Sequence, residues 1–286
     1  MGPARRGTWD LLRRGPKKIV GAARTEEAAG SRPQGISEAT SPRVSVVIPA
    51  LNEAENLPAV LATIPEDVFE IVLVDGASTD ATIEVARRCR PDIRIVTQTS
   101  WGKGNALACG FFAARGDIIV MLDADGSTNG AEIPRFVKAL QDGADLAKGS
   151  RFIGGGGSAD ITALRRAGNR CLGLLVNLLF RTRYTDLCYG YNALWRRCLP
   201  RLSLDCDGFE VETLLNIRAA RTNLTVREVP SYEEPRLHGE SHLHVVRDGF
   251  RIMRIILRER FAPAPAPMAA LVLVEPAHRP PHSTGQ

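Results

Sequence analysis

The feature that most narrows the fold is a rhythm: short runs rich in Val and Ile recur with helix-like stretches between them over residues 44–148. Val44–Pro49, Glu70–Asp75, Ile93–Thr97, Asp117–Asp123 and Ala144–Lys148 are apolar through most of their length, as strands are when both faces of their sheet are covered. Between them, Ala54–Thr63, Asp80–Cys89, Gly104–Ala114 and Ala131–Gln141 read as helices. Asn52 with Glu55 has the form of a capping box, and Ser78-Thr79-Asp80 supplies N-cap candidates for the next helix. This alternation predicts an α/β fold, a mostly parallel sheet flanked by helices.

In such sheets ligands sit beyond the carboxyl ends of the strands. Three polar clusters fall there: Pro49-Ala50-Leu51-Asn52-Glu53, Val74-Asp75-Gly76 and Leu122-Asp123-Ala124-Asp125-Gly126. Asp and Gly also make ordinary turns after strands, but three clusters in register predict one site. Asp123 and Asp125, one residue apart at a strand end, can both approach a hard cation such as Mg²⁺ or Mn²⁺. A cation held there would bridge a diphosphate and neutralise charge as it leaves. An Asp-x-Asp triplet alone is weak; its place after the buried strand Ile118–Leu122 and before Gly126 gives it weight.

After residue 150 the pattern changes. Gly154–Gly157 reads as a flexible loop, Ile161–Phe180 as a long helix and Tyr189–Trp195 as a strand. Asp207–Ala220 reads as a helix, Leu224–Val229 as a strand and Val245–Arg260 as a basic amphipathic helix. This half is expected to complete the sheet and build the acceptor side of one domain over 43–260. Residues 1–42 carry eight Lys/Arg against four acids and few large apolar groups, so a disordered basic arm is expected there. The Pro/Ala-rich stretch 261–286 is expected to be a disordered tail. The arm has no apolar core of a secretory signal, and Cys171–Phe180 is about half the length of a bilayer span. The six cysteines form no CxxC pair, which predicts reduced thiols in a cytoplasmic protein.

The ordered set Pro49-Ala50-Leu51-Asn52-Glu53, Val74-Asp75-Gly76-Ala77-Ser78-Thr79-Asp80, Gly102-Lys103-Gly104-Asn105-Ala106, Asp123-Ala124-Asp125 and Gly149-Ser150-Arg151-Phe152 resembles the family 2 glycosyltransferases. The resemblance spans Val44 to Arg260. Thr185-Asp186-Leu187-Cys188-Tyr189-Gly190-Tyr191 and Pro235-Arg236-Leu237-His238-Gly239-Glu240-Ser241 make it similar to the dolichol- or polyprenyl-phosphate sugar synthases within that family. The resemblance implies a GT-A fold and an inverting, metal-dependent transfer from a UDP- or GDP-sugar to a lipid-phosphate acceptor. Carried over, Pro49, Asn52 and Glu53 line the nucleotide pocket and Asp75 accepts from the base. Asp123 lies near ribose and metal, Asp125 is the direct metal ligand, and Lys103 sits in a loop that closes over the nucleotide. Arg236 contacts a phosphate, as a guanidinium suits, and Arg151 belongs to the same binding set. Three departures stand out: Gly76 where the family has a second acid, Ser127 where the subgroup has Gln, and His242 where it has Lys.

Several alternatives stay open on sequence. Lys103 also reads as a solvated lysine at a helix start, Arg236 as a structural salt-bridge partner, Arg151 as the partner of a neighbouring acid, and Trp101 as a core residue. A hydroxyl acceptor would need a general base; Asp186, Asp207, Glu210 and Glu212 are candidates, while a lipid phosphate needs none because its oxygens are already ionised. Transfer to a soluble hydroxyl or growing-glycan acceptor and an idle nucleotide-sugar-binding protein are the competing functions. Val245, Val246, Phe250, Met253, Ile256 and Leu257 fall broadly on one face of the last helix, which predicts docking on the core or peripheral contact with a membrane. A dehydrogenase is excluded by the lack of GxGxxG after the first strand, and nucleic acid is not expected as a partner.

Overall fold

The computed structural model describes residues 41–240 and 244–263; the arm expected over 1–42 and the tail expected over 261–286 lie almost wholly outside them. The strand–helix rhythm becomes β1 (Val44–Ala50), α1 (Leu57–Thr63), β2 (Glu70–Asp75), α2 (Thr82–Cys89), β3 (Arg94–Thr97), α3 (Lys103–Ala113) and β4 (Ile118–Met121). The second half runs α4 (Ile133–Gln141), β5 (Leu146–Ser150), β6 (Gly157–Ser158), α5 (Ala163–Phe180), β7 (Asn192–Trp195), α6 (Leu199–Leu202), α7 (Val211–Arg221), β8 (Val226–Pro230), β9 (Tyr232–Glu233) and α8 (Val245–Phe261).

Seven strands form one sheet in the order β3-β2-β1-β4-β7-β5-β8, and β6 pairs with β9 in a small second sheet. Only β7 runs antiparallel in the large sheet, between β4 and β5. Successive residues of each central strand face opposite sides. Val46 and Ile48 of β1, Leu73 of β2 and Val120 of β4 pack under α1, α2 and α4. Val47, Val72, Val74, Ile119 and Met121 pack under α3 and α7. Gly110 lets α3 lie close to the sheet: a Cβ there would stand 2.3 Å from Val47 Cγ1. A third cluster, with Val176, Ile217, Ile252 and Ile256, joins α5, α7 and α8.

Element boundaries move where side chains capture the backbone. The helix expected from Ala54 begins at Leu57, because Asn52 takes a left-handed φ of 55° and turns the chain. Its side chain accepts from Thr79 N at 2.8 Å in the neighbouring loop, so it does not cap α1. The strand expected from Tyr189 begins at Asn192, whose amide donates to the carbonyls of Tyr189 and Gly190 at 3.1 Å each and holds them in a turn. Helix α7 starts at Val211 instead of Asp207, since the Asp207 carbonyl accepts from Gly104 N at 2.8 Å and lies against the start of α3.

Candidate active site

The strand order 3-2-1-4 reverses direction between β1 and β4, and a crevice opens there beyond their carboxyl ends. The loops after β1 and β4 therefore face each other across it. Asn52 (φ 55°) and Ala77 (φ 64°) both hold left-handed backbone that non-glycine residues rarely adopt. The loops after β1 and β2 are tied together by Asn52 N donating to Ser78 Oγ at 3.0 Å and Glu53 N donating to Thr82 Oγ1 at 2.9 Å.

A cavity of about 240 Å³ occupies the crevice, lined by Pro49, Leu51, Glu53, Gly76, Trp101 and Asp123 among others. Trp101 is 75% exposed at this cavity, not a core residue. A second cavity of about 320 Å³ adjoins it, with Arg151, Arg165, Tyr189, Glu212, Glu233 and Ile252 in its wall. Five residues belong to both walls: Lys103, Asp123, Asp125, Phe209 and Arg236.

At that junction each aspartate meets a cation. Lys103 Nζ lies 2.7 Å from Asp123 Oδ1 and 2.8 Å from Glu212 Oε1. Burial alone would lower the Lys103 amine, but the two carboxylates override it and hold it above its ordinary value. Burial pushes the Glu212 carboxyl up, against the pull of Lys103. Arg236 reaches Asp125 Oδ2 at 3.2 Å and also pairs with Glu53. Backbone bonds bring it there: Glu234 N donates to Ser127 O at 2.9 Å and Leu237 N to Asp125 O at 3.1 Å. Gly126 suits this crossing because its φ of 81° lies in the left-handed region, and a Cβ there would also press on the Leu237 side chain.

The structure brings together Pro49, Glu53, Lys103, Asp123, Asp125 and Arg236 of the residues singled out by sequence. Asn52 sits one residue outside the cavity wall, spanning the two loops. Asp75 is buried behind Gly76 and accepts from Ser78 N at 3.3 Å. Arg151 lies at the edge of the second cavity but is nearly buried. Its guanidinium donates to both oxygens of Asp186, 2.7 and 3.0 Å, and to Glu233 at 2.9 Å. Asp186 is fully buried; burial raises its carboxyl, but the Arg151 bonds and the charge of Lys148 outweigh that cost and hold it below the usual range. Glu210 stands at the N-cap of α7 and accepts from Gly208 N. Of the four carboxylates weighed as bases, only Glu212 lines the second cavity. Arg165 and Glu233 in that wall carry no motif, and Phe209 stands between the two cavities without a sequence signal of its own.

The donor set suits a divalent cation of the Mg²⁺ type. Asp123 and Asp125 both present an oxygen to a positive group, and Asp125 Oδ1 is oriented by Ser127 N at 3.0 Å and Ser127 Oγ at 2.7 Å. Among the described residues no three His, Cys, Asp or Glu side chains enclose a metal. Two carboxylates at an open cleft match a cation that completes its shell with water and phosphate oxygens.

A family model described as glycosyl transferase family 2 matches residues 45–200. Glycosyltransferase AglJ of Haloferax volcanii is 30% identical over 213 residues, covering 73% of this chain and 69% of that protein. The dolichol-phosphate mannosyltransferase of Pyrococcus furiosus is 28% identical over 74% of this chain, which spans 64% of that protein's length. Among solved structures, glucosyl-3-phosphoglycerate synthase from Mycobacterium tuberculosis, in complex with Mn²⁺, UDP and glucosyl-3-phosphoglycerate, superposes with a TM-score of 0.62 at 25% identity, over 78% of this chain and 81% of that one.

Proposed function

Because this chain belongs to glycosyl transferase family 2 and has the GT-A fold, we propose that it transfers a sugar, with inversion, from a UDP- or GDP-sugar to a polyprenyl-phosphate-type acceptor. The observation that carries the reading is the junction of the two cavities. A donor in the first and an acceptor in the second would meet at Lys103, Asp123, Asp125 and Arg236, the charged groups both share.

In this reading Asp123 and Asp125 hold Mg²⁺ or Mn²⁺, as the related synthase with Mn²⁺ and UDP supports. When bound, the cation neutralises the diphosphate charge that builds as the nucleoside diphosphate departs. Lys103 and Arg236, released from the aspartates, turn to phosphate oxygens of donor and acceptor. Pro49, Asn52 and Glu53 shape the nucleotide end, and Asp75 fixes the loop beside the base. Arg151, Asp186 and Glu233 form a rigid wall for the acceptor. Glu210 fixes the start of α7 and so the position of Glu212. An ionised lipid phosphate attacks without a base. The six free thiols agree with a reducing, cytoplasmic setting.

A second reading, transfer to a soluble hydroxyl acceptor, draws on the likeness to glucosyl-3-phosphoglycerate synthase. It would need a base, and Glu212 stands in the wall where one is required. Incubating the protein with UDP- or GDP-sugars, Mg²⁺ or Mn²⁺, and either polyprenyl phosphate or 3-phosphoglycerate separates the two. Nucleoside diphosphate release that depends on the lipid phosphate supports the first; release only with 3-phosphoglycerate supports the second. Release with neither acceptor, at the rate without protein, would overturn both.

A further inference from the structure

We propose that the outward faces of α5 and α8 form one surface that docks this protein on an anionic lipid bilayer. The inference extends the reading above but does not need it, since docking is read without any sugar transfer. Sequence periodicity alone puts the apolar residues of α8 on one face; the structure divides them between two. Ile252, Ile255 and Ile256 are buried toward the core. Val246, Phe250, Met253, Leu257 and Phe261 follow at i, i+4, i+7, i+11 and i+15, the spacing of a single stripe along a helix. Phe250 is 74% exposed and Phe261 81%, and only Met253 of the five is partly covered.

Helix α5 repeats the arrangement. Val176 and Asn169 face inward, while Leu164, Cys171, Leu174 and Leu178 form a stripe at i, i+7, i+10 and i+14 and are all exposed. The two helices pack on each other and rest on the same core cluster, so both stripes face away from it. Exposed apolar side chains scattered singly need no explanation, but two adjacent stripes of large ones mark an interaction surface.

The charges identify the partner. Helix α5 contains no acidic residue, and its exposed charges are Arg166 and Arg170. Helix α8 has two acids, Asp248 and Glu259, and both are buried; Glu259 is held by Arg218 and Arg221 of α7. Its exposed charges are Arg247, Arg251, Arg254, Arg258 and Arg260. Every exposed charge on the two helices is therefore positive. A second copy of the same face would set arginine against arginine. A bilayer with anionic headgroups satisfies both features at once, apolar side chains in the acyl boundary and guanidinium groups among phosphates. The second cavity takes Arg165 from α5 and Ile252 from α8, so this surface adjoins the place where an acceptor would enter.

The test is co-sedimentation of the full chain with vesicles of phosphatidylcholine alone or mixed with phosphatidylglycerol. Binding to the mixed vesicles is expected, weakening as salt is raised. Phe250→Asp with Leu257→Asp on α8, and separately Leu174→Asp with Leu178→Asp on α5, should each lower the partition coefficient at least about tenfold. These side chains are exposed, so unchanged thermal midpoints and circular dichroism are expected and exclude unfolding as the cause. Equal binding to both vesicle types would overturn the proposal. So would aspartate variants that bind like the parent, which would place the contact elsewhere in the chain. A concentration-dependent dimer in the parent, lost in the same variants, would assign the face to a second copy instead.

Discussion

Arg236 and Arg151 are each clamped by two carboxylates, yet they sit in opposite settings. Arg236 is carried on the crossing after β9, opens into both cavities, and keeps 18% of its side chain exposed. Arg151 is 4% exposed, locked to Asp186 and Glu233, with its guanidinium 4.8 Å from the Tyr189 ring centre. The chemistry of the pairs is the same; the solvent is not. A pair that opens into a cleft can trade its carboxylate for a phosphate at lower cost, because water and ligand oxygens compensate. A buried pair cannot, because removing one partner leaves an uncompensated charge in a low-dielectric interior. In the proposed reading the same residue types thus serve as exchangeable contacts in the cleft and as fixed scaffold beside it.

The comparison predicts opposite readouts for matched substitutions. The largest effect belongs to Arg151→Ala, which strands Asp186 and Glu233; a loss of about 3–5 kcal/mol in urea unfolding is expected. A loss below about 1 kcal/mol would mean the buried cluster is not scaffold at all. Asp125→Ala should leave the urea midpoint near the parent's while lowering metal-dependent transfer about 10³-fold, an effect that EDTA reproduces in the parent. Full activity in EDTA would remove the metal from the reading. Arg236→Ala should lower kcat/KM about 10–100-fold, with a smaller loss of stability than Arg151→Ala. If Arg236→Ala unfolds as readily as Arg151→Ala, the two settings do not differ in the way described.

Legibility in the sequence divides along the same line. The donor half was readable because parallel topology forces strand ends to one edge, so a cluster after β1 and another after β4 must meet. Strand β2 falls on the residues expected, and β1 and β3 within one residue of them. The half after residue 150 was not, since its contacts join distant segments without a local pattern. Lys103 meets Glu212 across more than a hundred residues, and Arg165 sits mid-helix with nothing to mark it. Helix α8 shows the limit most clearly. Periodicity finds apolar stripes but cannot say which one the protein covers, and here the covered side includes Glu259, made tolerable by Arg218 and Arg221.

The smallest effect is a pH dependence that probes the buried cluster directly. Arg151 holds the Asp186 carboxyl below its ordinary value against the cost of burial. A carboxyl depressed in the folded state adds stability that is present above its unfolded pKa and is lost as pH falls through the folded value. Without Arg151, burial is opposed chiefly by the charge of Lys148, so the Asp186 carboxyl moves upward and the folded variant takes up a proton at higher pH than the parent. The stability gap between parent and Arg151→Ala should therefore be widest near neutrality and narrow as pH falls through the carboxylate range, by about 1 kcal/mol or more. Urea midpoints of both proteins across that range measure it. A gap that stays constant or widens on acidification would mean Asp186 draws its charge stabilisation from somewhere other than Arg151.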